Sequence, residues 1–133
     1  MARIVISAGA PLLFVLAAAS VTGALAAAPT SMTIALKNYA YDPENLVLTA
    51  GATYRLHFTN NSSKDHDFNA PKFFDDAVMS AEDRAKIVNG GVEVKVGGAV
   101  DVSVTLPHAA EYPVTCTHFM HADLGMEGEI TVK

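Results

Sequence analysis

Apolar and polar positions alternate along most of this chain. Met32, Ile34 and Leu36 alternate with polar or small neighbours. Leu46, Val47 and Leu48 lead into Ala50 and Gly51, and Tyr54, Leu56 and Phe58 alternate with Arg55 and His57 before the turn-rich residues 60–64. Val92, Val94 and Val96 repeat the period, Gly97 and Gly98 turn the chain, and Val100, Val102, Val104 and Leu106 give the longest strand pattern. Residues 112–117 and 129–132 complete the set. A period of two marks strands with one face buried. Short strands at close spacing, with no strand–helix–strand rhythm, predict a single all-β sandwich or barrel.

One segment departs from the alternation. In SAEDRAKIV, Ser80 stands where a helix N-cap belongs, Asp83 follows three residues on, acidic side chains fill the first turn, Lys86 lies near the end, and Asn89-Gly90-Gly91 stops the run. Those signals predict one short inserted helix of about two turns. Phe73, Phe74, Val78 and Ile87 are its expected contacts with the sandwich.

The start of the chain belongs to a different class of segment. A basic opening through Arg3, an apolar run to about Thr22 and the A-x-A sequence Ala24-Leu25-Ala26 predict a cleaved signal peptide over 1–26. A retained membrane anchor would carry a basic flank after the run, and small residues follow it instead. The exported domain would then span 27–133, enough for one modest core. Export would carry it out of the cytoplasm. Nine Lys and Arg stand against fourteen Asp and Glu; without Arg3 the balance is eight against fourteen, or −6. That surface repels nucleic acid and anionic lipid, predicts no membrane insertion after cleavage, and leaves basic protein partners possible.

Export also bears on Cys116, the single cysteine. In an oxidising compartment an unpaired thiol is buried, bridged between chains or bound to a metal. A buried structural cysteine is the plain alternative. Its neighbours argue for the metal, because His118, His121 and Met126 follow within YPVTCTHFMHADLGM. Thiolate, imidazole and thioether together suit copper, which needs a soft sulfur, two imidazoles and a weak axial donor to pass between Cu(I) and Cu(II). Zinc accepts cysteine and histidine, but a thioether is a poor zinc ligand. A cysteine hydrolase needs an orienting third group and an oxyanion hole, and nothing in the sequence suggests either. The turn after Cys116 can bring His121 and Met126 round to one point. A further imidazole must come from elsewhere, and the best candidate is His66 in NNSSKDHDF, at the far end of the loop after the strand around Leu56. A sandwich gathers its loops at two ends, so the two loops can meet. His57, on the polar side of its strand, and His108, after Pro107, are expected away from the metal.

These residues carry a resemblance. D-H-D-F, then Y-P-V-T-C with the spacing C-x4-H-x4-M, then G-x-I-x-V, is similar to the cupredoxin family of small exported blue-copper proteins that includes plastocyanin and azurin. The resemblance covers essentially the whole exported segment. It implies a Greek-key β-sandwich holding one copper ion, with His66, Cys116, His121 and Met126 as ligands. It also implies that Asp67 and Thr117, which follow the first histidine and the cysteine, tie the two ligand loops together. Asparagine is commoner in the family at the first of those positions. His118 departs from the pattern, since proline, leucine or glycine usually fills the stretch between cysteine and histidine. It stands as an alternative ligand to His121, or as a residue beside the site.

The resemblance implies no enzyme but a monomeric one-electron carrier between periplasmic redox proteins such as a cytochrome. In the family the exposed edge of the second histidine is the usual electron port, here His121, with Phe119 and Met120 beside it. A copper-handling protein, exchanging the ion with a donor or acceptor protein, is the alternative that His118 and Met120 favour.

Overall fold

The computed structural model describes Gly23 and residues 26–133; apart from Gly23 and Ala26, the expected signal peptide lies outside the described residues. Nine strands, β1 (Thr30–Lys37), β2 (Ala40–Asp42), β3 (Asn45–Leu48), β4 (Thr53–Asn60), β5 (His66–Asn69), β6 (Gly91–Val94), β7 (Ala99–Thr105), β8 (Ala110–Thr115) and β9 (Glu127–Val132), build two sheets. One has the order β2-β1-β4-β7 and the other β3-β9-β8-β5-β6. β1 pairs in parallel with β4 and β3 with β9, while the remaining pairs are antiparallel. Strands distant in sequence therefore lie side by side, as the Greek-key sandwich expected from the sequence requires.

The period of two does what it predicts. Ile34 and Leu36 of β1, Leu56 and Phe58 of β4, and Val102 and Val104 of β7 all point into the space between the sheets and are buried. From the opposite sheet Leu46, Leu48, Phe68, Val92, Val114, Ile130 and Val132 fill the same space. Aromatic rings knit its centre, with Phe68 against Phe58, Tyr41 and Phe74, and Phe73 against Phe74 and Tyr112. Burial on this scale contributes about 1.5–3 kcal/mol for each large side chain.

Two short helices, not one, sit between β5 and β6. α1 (Pro71–Asp76) begins with Pro71, whose fixed φ suits a first helical turn, and sends Phe73 and Phe74 into the core. Its last carbonyls are satisfied by Arg84, whose guanidinium donates to the Phe74 oxygen at 2.5 Å and the Ala77 oxygen at 2.7 Å. α2 (Ala81–Arg84) is the expected helix, shorter than two turns, and Ser80 Oγ accepts from the Asp83 backbone N–H at 3.0 Å as its cap. Of the contacts expected for it, Phe73 and Phe74 belong to α1, Ile87 is partly buried, and Val78 is exposed on an isolated bridge to Thr105.

Gly128, the glycine of G-x-I-x-V, has a steric duty. It lies where β9 passes the Glu44 backbone, and a Cβ there would run into the Glu44 carbonyl oxygen. A backbone obstacle yields less readily than a side chain. Gly128→Ala is expected to destabilise the protein by about 1–3 kcal/mol, the usual cost of overpacking, read as a lower urea midpoint with an unchanged slope.

Candidate metal centre

β5 and the end of β8 bring the first two candidate residues together. His66 is the first residue of β5 and not a loop residue, as the sequence suggested, and alternation puts its ring on the inward face with Phe68. The loop that delivers it is fastened at both ends. Asn60, fully buried, donates to the carbonyls of Lys64 and Val94, both at 2.8 Å, and its Oδ1 accepts from the Ser62 backbone N–H and hydroxyl. Asp65, next to His66, accepts from the Val96 backbone N–H at 2.9 Å and from Lys95 at 3.0 Å.

Cys116 leaves β8 into a tight loop that returns at Met126. The Cys116 N–H donates to the Met126 carbonyl at 3.1 Å, the Met126 N–H to the His121 carbonyl at 3.0 Å, and the His121 N–H to the His118 carbonyl at 3.0 Å. Gly125 takes a φ of +99°, open to glycine at no steric cost, whereas Met120 sits at +61° with a side chain that rarely adopts it. The loop thus holds Cys116, His121 and Met126 through backbone bonds, and all three are buried.

The donor atoms converge. His66 Nδ1 lies 3.0 Å from His121 Nδ1, and Cys116 Sγ lies 3.4 Å from His121 Nδ1 and 3.9 Å from His66 Nδ1. Among the described residues these three form the one group of histidine, cysteine or carboxylate donors close enough to share an ion. Burial, then the neighbouring His121 and His118, hold His66 below the usual imidazole range; burial, then His118 and Lys64, do the same for His121. Both rings therefore offer lone pairs at neutral pH. Burial pushes the Cys116 thiol up to about 11, so without a cation it is a poor nucleophile. Two imidazole nitrogens and a sulfur converging in a buried pocket present the donor set that one soft cation takes up. With Met126 beside them, they fit a single type 1 copper site.

Asp67, on the outward face of β5, bonds the two halves of the site. It accepts from the Thr117 N–H at 2.7 Å and the Thr117 hydroxyl at 2.5 Å, and its own carbonyl accepts from the Tyr41 hydroxyl at 2.7 Å. The aspartate therefore makes the tie for which the family more often uses asparagine. Tyr41, whose role the sequence did not disclose, is pushed up by burial and by the facing Cys116 and Asp67. His66 Nε2 is buried with no hydrogen-bond partner among the described residues, so strand and packing orient that ring.

His118 does not join the converging atoms. Its Nε2 donates to Glu93 at 3.1 and 3.2 Å, and its ring lies nearly parallel to His121, at an interplanar angle of 23° and a centroid distance of 5.5 Å. Tyr39, a half-buried residue at a φ of +64°, meets His121 edge-on at 5.2 Å. These two rings leave His121 8% exposed, with its Nε2 edge still open to solvent. His57 bonds Asp101 at 2.8 Å, and His108 lies exposed in its turn, both outside the cluster.

Known proteins share the fold. The reduced auracyanin of Roseiflexus castenholzii is 23% identical over 80% of this chain and 99% of its own, with a TM-score of 0.59. Auracyanin A of Chloroflexus aurantiacus, a "blue" copper protein, is 24% identical over 80% of this chain and all of its own, at 0.55. The McoA multicopper oxidase of Aquifex aeolicus shares the fold at 15% identity and 0.63, but this chain spans only 32% of it. No curated protein gives a significant sequence match. The sequence model of the cupredoxin-like domain matches residues 9–132, and the chain belongs to that family.

Proposed function

We propose that this protein is an exported one-electron carrier, cleaved after Ala26, whose domain at 27–133 binds one copper ion through His66, Cys116, His121 and Met126. The observation that carries the reading is the meeting of His66 Nδ1, Cys116 Sγ and His121 Nδ1 within 3.9 Å in a buried, backbone-fastened pocket. Copper bound there supplies a one-electron couple between Cu(I) and Cu(II). The chain's own part is rigidity. The Asn60 and Asp65 fastenings, the Asp67–Thr117 tie and the closed loop keep the donors in place whatever the charge on the ion, which limits rearrangement during transfer. The low exposure of the donors also opposes ready surrender of the ion, the property a copper-handling protein needs.

Export is supported by the basic, apolar and A-x-A order of the first residues. Among the described residues no helix is long and apolar enough to cross a membrane. A balance of −6 favours a redox partner with a basic surface, such as a cytochrome, with association that slows as salt rises. The test is voltammetry of the copper-loaded protein alongside chelator challenge. The carrier reading expects reversible one-electron reduction and slow loss of copper; rapid loss of copper with no reversible wave would replace it with copper handling.

A further inference from the structure

Resting on the copper site proposed above, we infer that Tyr41 is a positioning residue for its ligands: the phenol hydroxyl holds β5 and β8 apart beside His66 and Cys116, and so sets the spacing of those two donors. β5 and β8 pair at one register position, Asn69 opposite Thr115. The neighbouring Ala70 and Cys116 N–H groups are bonded elsewhere, to the Gly90 carbonyl at 3.0 Å and the Met126 carbonyl at 3.1 Å, so Asn69 and Thr115 themselves exchange the ladder bonds. Bonds of that kind recur at every second pair of an antiparallel ladder. The next pair would be Asp67 opposite Thr117, each N–H on the other's carbonyl.

That pair does not form. The Thr117 N–H donates to the Asp67 carboxylate at 2.7 Å, and the Asp67 carbonyl accepts from the Tyr41 hydroxyl, also at 2.7 Å. His66 precedes Asp67 and Cys116 precedes Thr117, so the opened position lies directly beside both donors. Tyr41 comes from β2 of the other sheet, is 3% exposed and meets Phe68 edge-on at 5.2 Å, which holds the ring while the hydroxyl reaches β5. A buried carbonyl without a donor is costly, and the hydroxyl supplies the donor that the missing pair would have given. Without it the Asp67 carbonyl draws in the Thr117 N–H, the strands close towards regular pairing, and Cys116 Sγ shifts from its place 3.9 Å from His66 Nδ1.

The test is Tyr41→Phe, which keeps the ring against Phe68 and removes the hydroxyl alone. Val104→Ala serves as the control for lost stability, since it opens a cavity opposite Tyr54 at the start of β4, away from the Asn60 end that leads to His66. Both proteins are titrated with copper and read by visible and EPR spectroscopy, with urea unfolding of the metal-free forms. Tyr41→Phe is expected to fold, to bind copper several-fold more weakly, and to shift the thiolate charge-transfer bands and the Cu(II) hyperfine splitting. Val104→Ala is expected to lose stability with the spectra of the wild type. Wild-type spectra and affinity in Tyr41→Phe overturn the assignment, whatever its stability. So does a spectral shift shared by Val104→Ala, or a Tyr41→Phe chain that does not fold, since the hydroxyl would then serve the sandwich as a whole. A wild-type protein without a thiolate-to-copper band fails earlier, at the copper site itself.

Discussion

Cys116→Ala is expected to abolish the thiolate-to-copper charge-transfer colour and the copper-dependent rise in thermal stability together. The sulfur is the one thiolate the chain can offer, and it lies 3.4 and 3.9 Å from the two imidazole nitrogens that face it. An ion that binds only the folded state at a thousandfold excess over its dissociation constant stabilises that state by about 4 kcal/mol. For a domain of roughly a hundred residues that is a rise of about 15 °C in melting temperature. Loss of one buried sulfur costs the metal-free protein only on the order of 1 kcal/mol, so the linked term dominates the comparison. His118→Ala in the same experiment is expected to keep both colour and shift, because Glu93 engages that ring outside the converging donors. A visible titration and calorimetry with and without copper check both variants. Colour surviving in Cys116→Ala, or lost in His118→Ala, would refute the ligand set.

Much of this was legible in the sequence, and what escaped has physical reasons. The strands with one apolar face announced themselves by period, and C-x4-H-x4-M brought three of the four candidate residues into one short loop. β5 did not announce itself. His-Asp-Phe-Asn carries no apolar alternation because both of its faces are covered, and all four residues are buried, three of them polar. β2 is three residues long, too short for a pattern. α1 escaped for a different cause, since neither an N-cap side chain nor an acidic first turn marks it, and its two phenylalanines look like any core pair. Asn60 was readable as a turn former, which is what asparagine usually is; its four hydrogen bonds at the root of the His66 loop are a property of the fold. The covering of His121 depends on a tyrosine from the β1–β2 turn and a carboxylate on β6, both far away in sequence. No local pattern reports such a meeting.

Asp67 is the residue where fold and site are bonded to each other, and its removal is expected to damage both. Its carboxylate holds Thr117 by backbone N–H and hydroxyl at 2.7 and 2.5 Å, joining the strand that bears His66 to the start of the loop that bears Cys116 and His121. Hydrogen bonds to a charged group contribute about 1.5–3 kcal/mol each, and truncation also strands the Thr117 donors. Asp67→Ala is therefore expected to cost the metal-free protein about 3 kcal/mol in urea unfolding and to weaken copper binding as the two halves of the site loosen. Asp67→Asn separates the tie from the charge. Its amide accepts from the Thr117 N–H and donates to the Thr117 oxygen, so most of the stability should remain. What changes is the electrostatics. A negative charge beside the thiolate favours the more highly charged Cu(II), and its loss is expected to raise the reduction potential at unchanged colour. A potential that falls in Asp67→Asn, or an Asp67→Ala protein as stable as the wild type, would show that the Thr117 contacts neither secure the fold nor carry the field.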